Sequence, residues 1–225
     1  MSPLEQVKLP ALMARTSGSP DVRIGLIDGP VLTHHPDLSS KHLREISGYN
    51  GGTCTRANSA ACLHGTFVAG ILSARSSSPA PAICPNCTLV VRPIFSEATS
   101  GHESMPSATP QELAAAIQDC LVAEVRIINL SLALAYPSTK GEQALEEALN
   151  QCARRGVLVV AAAGNQGTLG SSAITRHPWV IPVAACNLIG RPINDSNFGS
   201  SIGRRGLSAP GADITSLGPT GQALT

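Results

Sequence analysis

Three polar residues stand where apolar runs break. Asp28 closes Arg23-Ile24-Gly25-Leu26-Ile27-Asp28-Gly29, His64 lies in Cys62-Leu63-His64-Gly65-Thr66-Phe67-Val68-Ala69-Gly70, and Asn165 ends Ala161-Ala162-Ala163-Gly164-Asn165. Cleavage of a peptide bond by a serine needs a base to take the hydroxyl proton, a carboxylate to orient that base, and donors for the oxyanion. A histidine, an aspartate and an asparagine supply three of these four parts. Each residue alone has a simpler reading. An aspartate ending a strand is a common turn or cap residue, a histidine before Gly-Thr can open a helix, and Gly-Asn is often only a turn.

The elements that must position these residues alternate. Short apolar runs of strand type (Val22 to Ile27, Thr88 to Phe95 with Pro93 inside, Val125 to Leu132, Val157 to Ala163) are separated by segments with helical spacing. Such alternation predicts an α/β fold with a mainly parallel sheet covered by helices. Thr109-Pro110-Gln111-Glu112 is a helix start, with a threonine cap, proline at the first position and glutamate three residues after the cap. That helix is expected to run to about Glu124, with Leu113, Ile117, Cys120 and Leu121 on one face. A second helix is expected over Glu142 to Arg155, with Leu145, Leu149 and Cys152 inward and Gly156 as its stop. Asp28, Ser131 and Asn165 then fall at the carboxyl ends of three strands, where open parallel sheets place their ligand sites. Ser76 to Pro81 and Phe95 to Pro110 read as surface loops.

Composition narrows the partners. The 225 residues carry 16 basic and 15 acidic side chains, net +1, which favours neither nucleic acid nor an anionic membrane surface. No run of 18 apolar residues occurs, and Met1 to Pro20 lacks the pattern of a secretory signal, so the expected compartment is the cytoplasm. Seven cysteines cannot all pair within one chain. Cys84 and Cys87 form a single C-x-x-C whose only nearby partners for a four-thiolate zinc site are Cys54 and Cys62. Zinc, disulfides and plain buried thiols stay open on this pattern, and the missing second C-x-x-C weighs against zinc. Cys120, Cys152 and Cys186 read as small core residues. His34, His35, His42, His102 and His177 read as solvent-facing or structural.

The three segments around Asp28, His64 and Asn165 resemble the aspartate, histidine and oxyanion blocks of the subtilisin family, in the same order. Two more blocks support the resemblance. Ile128-Asn129-Leu130-Ser131-Leu132 resembles the strand lining the substrate cleft, and Asn197-Phe198-Gly199 with Leu207-Ser208-Ala209-Pro210-Gly211 resembles the segment leading to the serine. Gly25-Leu26-Ile27-Asp28-Gly29-Pro30 and Gly206 to Ile214 look most like cyanobactin maturation proteases, which trim ribosomal precursor peptides.

The resemblance implies a three-layer fold over residues 21–225 with residues 1–20 as an extension. It also implies a serine endopeptidase acting on a peptide or precursor peptide. His64 would be the base, placed at the start of a helix over His64 to about Ser73, where the helix dipole disfavours its charged form. Asp28 would orient it, Asn165 would donate to the oxyanion, and Ser131, Leu132 and Gly164 would meet the substrate backbone. Asp37 would order its loop. No cofactor is assigned; many relatives bind calcium, on loops that do not align here.

The family's nucleophile follows the oxyanion asparagine by roughly 65 residues, in a Gly-Thr-Ser block opening a helix. No Gly-Thr-Ser occurs in this chain, which ends at Thr225. Ser208, in what reads as a turn before Ala-Pro-Gly, matches a non-catalytic family position. The expectation is a domain cut short of its nucleophile helix and inactive alone, its sheet left with exposed apolar surface. The alternative is a peptide-binding pseudoenzyme.

Overall fold

A computed structural model describes residues 2–46, 52–95, 97, 108–132, 142–218 and 223–225. The apolar runs form parallel strands: β1 (Arg23–Asp28), β2 (Leu43–Glu45), β3 (Thr88–Pro93), β4 (Ile127–Leu130), β5 (Leu158–Ala162), β6 (Val180–Cys186) and β7 (Leu207–Pro210). They lie side by side in the order β2-β3-β1-β4-β5-β6-β7. A small antiparallel pair, β8 (Ser216–Leu217) with β9 (Ala223–Leu224), stands apart. Short helices α1 (Pro3–Gln6) and α2 (Pro10–Met13) open the chain. Three long ones, α3 (Ala60–Ser73), α4 (Pro110–Val122) and α5 (Glu142–Arg155), cover the sheet, and α6 (Ala173–Arg176) and α7 (Ser200–Arg205) flank β6.

Alternation along the strands sorts side chains between two layers. Ile27, Val90, Ile128, Leu130, Val159 and Ala161 point to one face, packed with Leu113 and Ile117 of α4 and Leu145 and Leu149 of α5. Ile24, Leu26, Leu89 and Val91 point to the other, under Ala69 of α3 and Leu217 of β8. Burying each such Leu or Ile contributes about 1.5–3 kcal/mol, so the central strands are the most firmly held part of the sheet. Gly25 lets α4 close on β1, because a Cβ there would meet Cys120 Sγ at 3.0 Å. Burial pushes the Cys120 thiol up to about 12, consistent with a core residue, and Cys152 and Cys186 are buried too.

The helix signals act as expected. Thr109 Oγ1 accepts from Glu112 N at 3.2 Å while the Glu112 carboxylate accepts from Thr109 N at 2.8 Å. Gly156 stops α5 with φ +67°. Several boundaries differ from expectation. Helix α4 ends at Val122 because Glu124 turns left-handed at φ +57°, and β4 and β5 are shorter than their apolar runs. Ser208 lies within strand β7, paired opposite Ala184, rather than in a turn. Helix α3 starts at Ala60, four residues before His64, since Ser59 caps it by accepting from Cys62 N at 3.2 Å. Cys54 and Cys62 form a disulfide, while Cys84 and Cys87 are free thiols. His35 and His177 are buried and His34 is exposed; His102 and most of the loop from Phe95 to Pro110 lie outside the described residues.

Candidate active site

Asp28 is the last residue of β1 and shares the parity of Ile24 and Leu26, so its side chain points toward α3, where it is fully buried. Its Oδ1 accepts from Gly29 N at 2.6 Å and lies 2.6 Å from Nδ1 of His64. An ionised carboxylate only accepts, so Nδ1 carries the proton of that bond and Nε2 is left as the basic nitrogen. The His64 side chain is 37% exposed.

Two glycines make this approach possible. A Cβ on Gly29 would lie 2.0 Å from Ala61 O, and one on Gly65 would lie 2.4 Å from Gly29 O. The end of β1 and the first turns of α3 therefore touch backbone to backbone. Thr66 Oγ1 adds a bond from Leu32 N at 2.9 Å. Burial pushes the imidazolium of His64 down, but the hydrogen bond and the negative charge of Asp28 together outweigh it and hold the ring above 6.5. The expected helix-start position is thus corrected: His64 sits one turn inside α3, and Asp28 sets the direction of its shift.

The other candidate residues gather on β4 and β5. Asn129 and Ser131 alternate with Ile128 and Leu130, so they face the same side of the sheet as Asp28. Asn129 Nδ2 donates to Ser131 Oγ at 2.6 Å. Gly164 turns the chain after β5 with φ +105°, leaving Asn165 exposed, and its side chain makes no hydrogen bond among the described residues. Asn129, Ser131, Gly164 and Asn165 line a groove of about 240 Å³ that continues over Val160, Ala162, Val183 and Ala185 to Pro210. Neither Asp28 nor His64 lines it. Leu132 is buried on the opposite side, in the core beneath α4 and α5.

A disulfide that the cysteine pattern left open and a carboxylate that no motif marked brace the start of the helix carrying His64. Just before α3, the Cys54–Cys62 disulfide ties residue 54 to the helix. Beside it, the Glu97 carboxylate accepts from Thr55 N at 3.1 Å, Arg56 N at 2.9 Å and Ser59 Oγ at 3.0 Å. Burial works against its charge, but these bonds outweigh it and hold the carboxyl below 4.5. A sequence separation of 8 between two cysteines does not dictate a pairing, and Glu97 is too distant in sequence to be paired with them by pattern.

Cys54, Cys62 and Glu97 are also the one grouping of possible metal ligands among the described residues. Its sulfurs are joined to each other, and it offers one carboxylate where calcium takes six to eight oxygens. These residues do not fit that ion.

The parallel α/β sheet thus carries a bonded Asp–His pair at the end of β1 and, along β4 and β5, a groove rimmed by the exposed Asn165 amide. The chain belongs to the Subtilase family, whose signature matches residues 19–225. It is 27% identical over 228 residues to subtilisin amylosacchariticus of Bacillus subtilis subsp. amylosacchariticus, covering 97% of this chain and 54% of that protein. A thermophilic serine proteinase of Bacillus sp. (strain AK1) is 32% identical over 203 residues, covering 89% of this chain and 46% of that protein. The chain thus spans about half the length of such relatives. Among solved structures, a serine-to-alanine mutant of the protease domain of PatA superposes with a TM-score of 0.83 at 32% identity, covering 92% of this chain and 72% of that one. The prenylagaramide maturation protease PagA gives 0.82 at 29% identity, covering 96% and 72%.

Proposed function

We propose that this chain carries the acid–base and oxyanion parts of a serine-type endopeptidase. The observation that carries the reading is the 2.6 Å contact between His64 Nδ1 and Oδ1 of the fully buried Asp28. In the proposed mechanism His64 Nε2 takes the proton from a serine hydroxyl as it attacks the substrate carbonyl, then gives it to the leaving amine. Asp28 holds the tautomer and stabilises the imidazolium as it forms. The Asn165 amide donates to the oxyanion, with Ser131 and Gly164 receiving the substrate backbone as an added strand. Leu132 contributes through its backbone alone, since its side chain is core.

The substrate we propose is a precursor peptide, in keeping with the likeness to the maturation proteases PatA and PagA. The peptidase domain is taken as residues 21–225. No Gly-Thr-Ser block occurs in the chain, so the nucleophile is proposed not to be among these 225 residues.

A fluorophosphonate probe tests both parts. The 225-residue chain is predicted to take no label; labelling that His64→Ala abolishes would show a nucleophile within it. A form carrying the serine block is predicted to label and to cleave an unstructured peptide. Cleavage that survives His64→Ala would overturn the peptidase reading.

A further inference from the structure

We propose that Asn197 is the positioning residue for the oxyanion donor, acting through the loop that carries Asn165; this rests on the peptidase reading of Asn165. Nothing on Asn165 itself fixes its side chain, which is exposed and has no hydrogen bond among the described residues. Its loop is intrinsically loose, with glycines at φ +105° (Gly164) and +60° (Gly167). An oxyanion donor works only if it is already in place when charge develops, so the order must come from outside the loop.

It comes from the strap that includes Asp195, Asn197 and Phe198. Gly167 N donates to Asp195 O at 2.8 Å, Asn197 N to Gly164 O at 2.9 Å and Phe198 N to Thr168 O at 3.0 Å. The Asn197 side chain then spends all of its hydrogen-bonding capacity on the same loop. Its Oδ1 accepts from Gln166 N at 3.1 Å, Thr168 N at 3.0 Å and Thr168 Oγ1 at 3.1 Å. Its Nδ2 donates to Ala163 O at 3.2 Å and to Gln166 Oε1 at 2.7 Å. Two backbone N–H groups on one side and a carbonyl on the other assign the amide's orientation. Asn197 therefore binds the residue before Asn165 through its own N–H and the residue after it through Oδ1. The donor is spanned by one side chain and its peptide, while its own amide stays free for substrate.

The geometry also explains why an amide stands here. A carboxylate would keep the Oδ1 bonds but set a second oxygen against Ala163 O, and an aliphatic residue would leave the two loop N–H groups to water and remove the cross-link.

The test has two arms. In the 225-residue chain, amide hydrogen exchange at Gln166 and Thr168 is predicted to speed up in Asn197→Ala while Val160 in β5 keeps its protection. In a form carrying the serine block, Asn197→Ala is predicted to lower kcat by up to about 10²-fold with KM little changed. The double variant Asn165→Ala/Asn197→Ala should lose no more than Asn165→Ala alone, since Asn197 acts through Asn165. Losses that multiply, or loop exchange unchanged by Asn197→Ala, overturn the proposal. Should Asn197→Ala fail to fold, the same cycle is run with Asn197→Asp, and multiplied losses there overturn it equally. Asn165→Ala without effect on kcat would instead remove the oxyanion reading, leaving the exchange result to stand as a loop contact only.

Discussion

The two halves of the candidate site are built by opposite means. Asp28 and His64 are locked to each other across 2.6 Å, one fully buried, both on long elements pressed together at Gly29 and Gly65. Asn165 is exposed, unbonded through its side chain among the described residues, and sits on a loop with two left-handed glycines. The difference follows from what each half must do. A base and its orienting carboxylate can be satisfied by each other before substrate arrives, and the bond that orients the ring also tunes it. An oxyanion donor has to stay unsatisfied until charge appears, so its order must be supplied by neighbours such as Asn197 rather than by its own bonds.

The contrast can be broken most severely at the histidine. In a form carrying the serine block, His64→Ala is predicted to lower kcat by about 10⁶-fold, the cost known for subtilisin's histidine, because no other group takes the serine proton. Measurement of kcat on a peptide substrate checks this, and a loss below about a hundredfold would mean that another base is at work.

Asn165→Ala comes next. Its predicted cost is about 10²–10³ in kcat, or about 2.7–4 kcal/mol, the value known for subtilisin's oxyanion asparagine. Thermal stability should hardly change, because the side chain is exposed and makes no hydrogen bond among the described residues. A large fall in melting temperature would contradict the claim that Asn165 is a free donor.

The smallest effect sharpens the contrast through stability. The folded-state value of His64 is raised, so the pair stabilises the fold fully below the ordinary value of 6.5, and that contribution is lost as pH rises through the folded value. Unfolding midpoints in urea across this range should show the trend in the wild type and lose it in Asp28→Asn.

Much of the locked half was legible in the sequence, because its signals are local. Asp28 follows an apolar run and precedes a glycine, and His64-Gly65-Thr66 stands in an apolar helical segment. The capping box at Thr109 and Glu112 and the stop at Gly156 were readable for the same reason, since each is a bond or a dihedral within four residues. The start of α3 was misplaced because the cap at Ser59 precedes an Ala-Ala-Cys run that carries no acidic residue to mark a first turn. Strand β6 escaped notice: Pro182 interrupts a run of only seven residues, yet the strand pairs on both sides.

The unlocked half was legible only as Gly164-Asn165. Its supports are not local: Asn197 reaches back about thirty residues, and nothing about a lone asparagine before Phe-Gly marks it as a hub. Glu97 behind the histidine was hidden likewise, since it meets Thr55, Arg56 and Ser59 only after the chain has passed through α3 and β3, and the disulfide was legible only as one of the fates left open for Cys54 and Cys62.

The central claim, that Asp28 and His64 form an orienting pair poised as a general base, is most directly tested by NMR titration of the His64 ring in the 225-residue chain. The account predicts a value above 6.5 in the wild type, with the proton on Nδ1 in the neutral form, and a downward move in Asp28→Asn. A ring titrating at or below 6.5, or unmoved by Asp28→Asn, would contradict it.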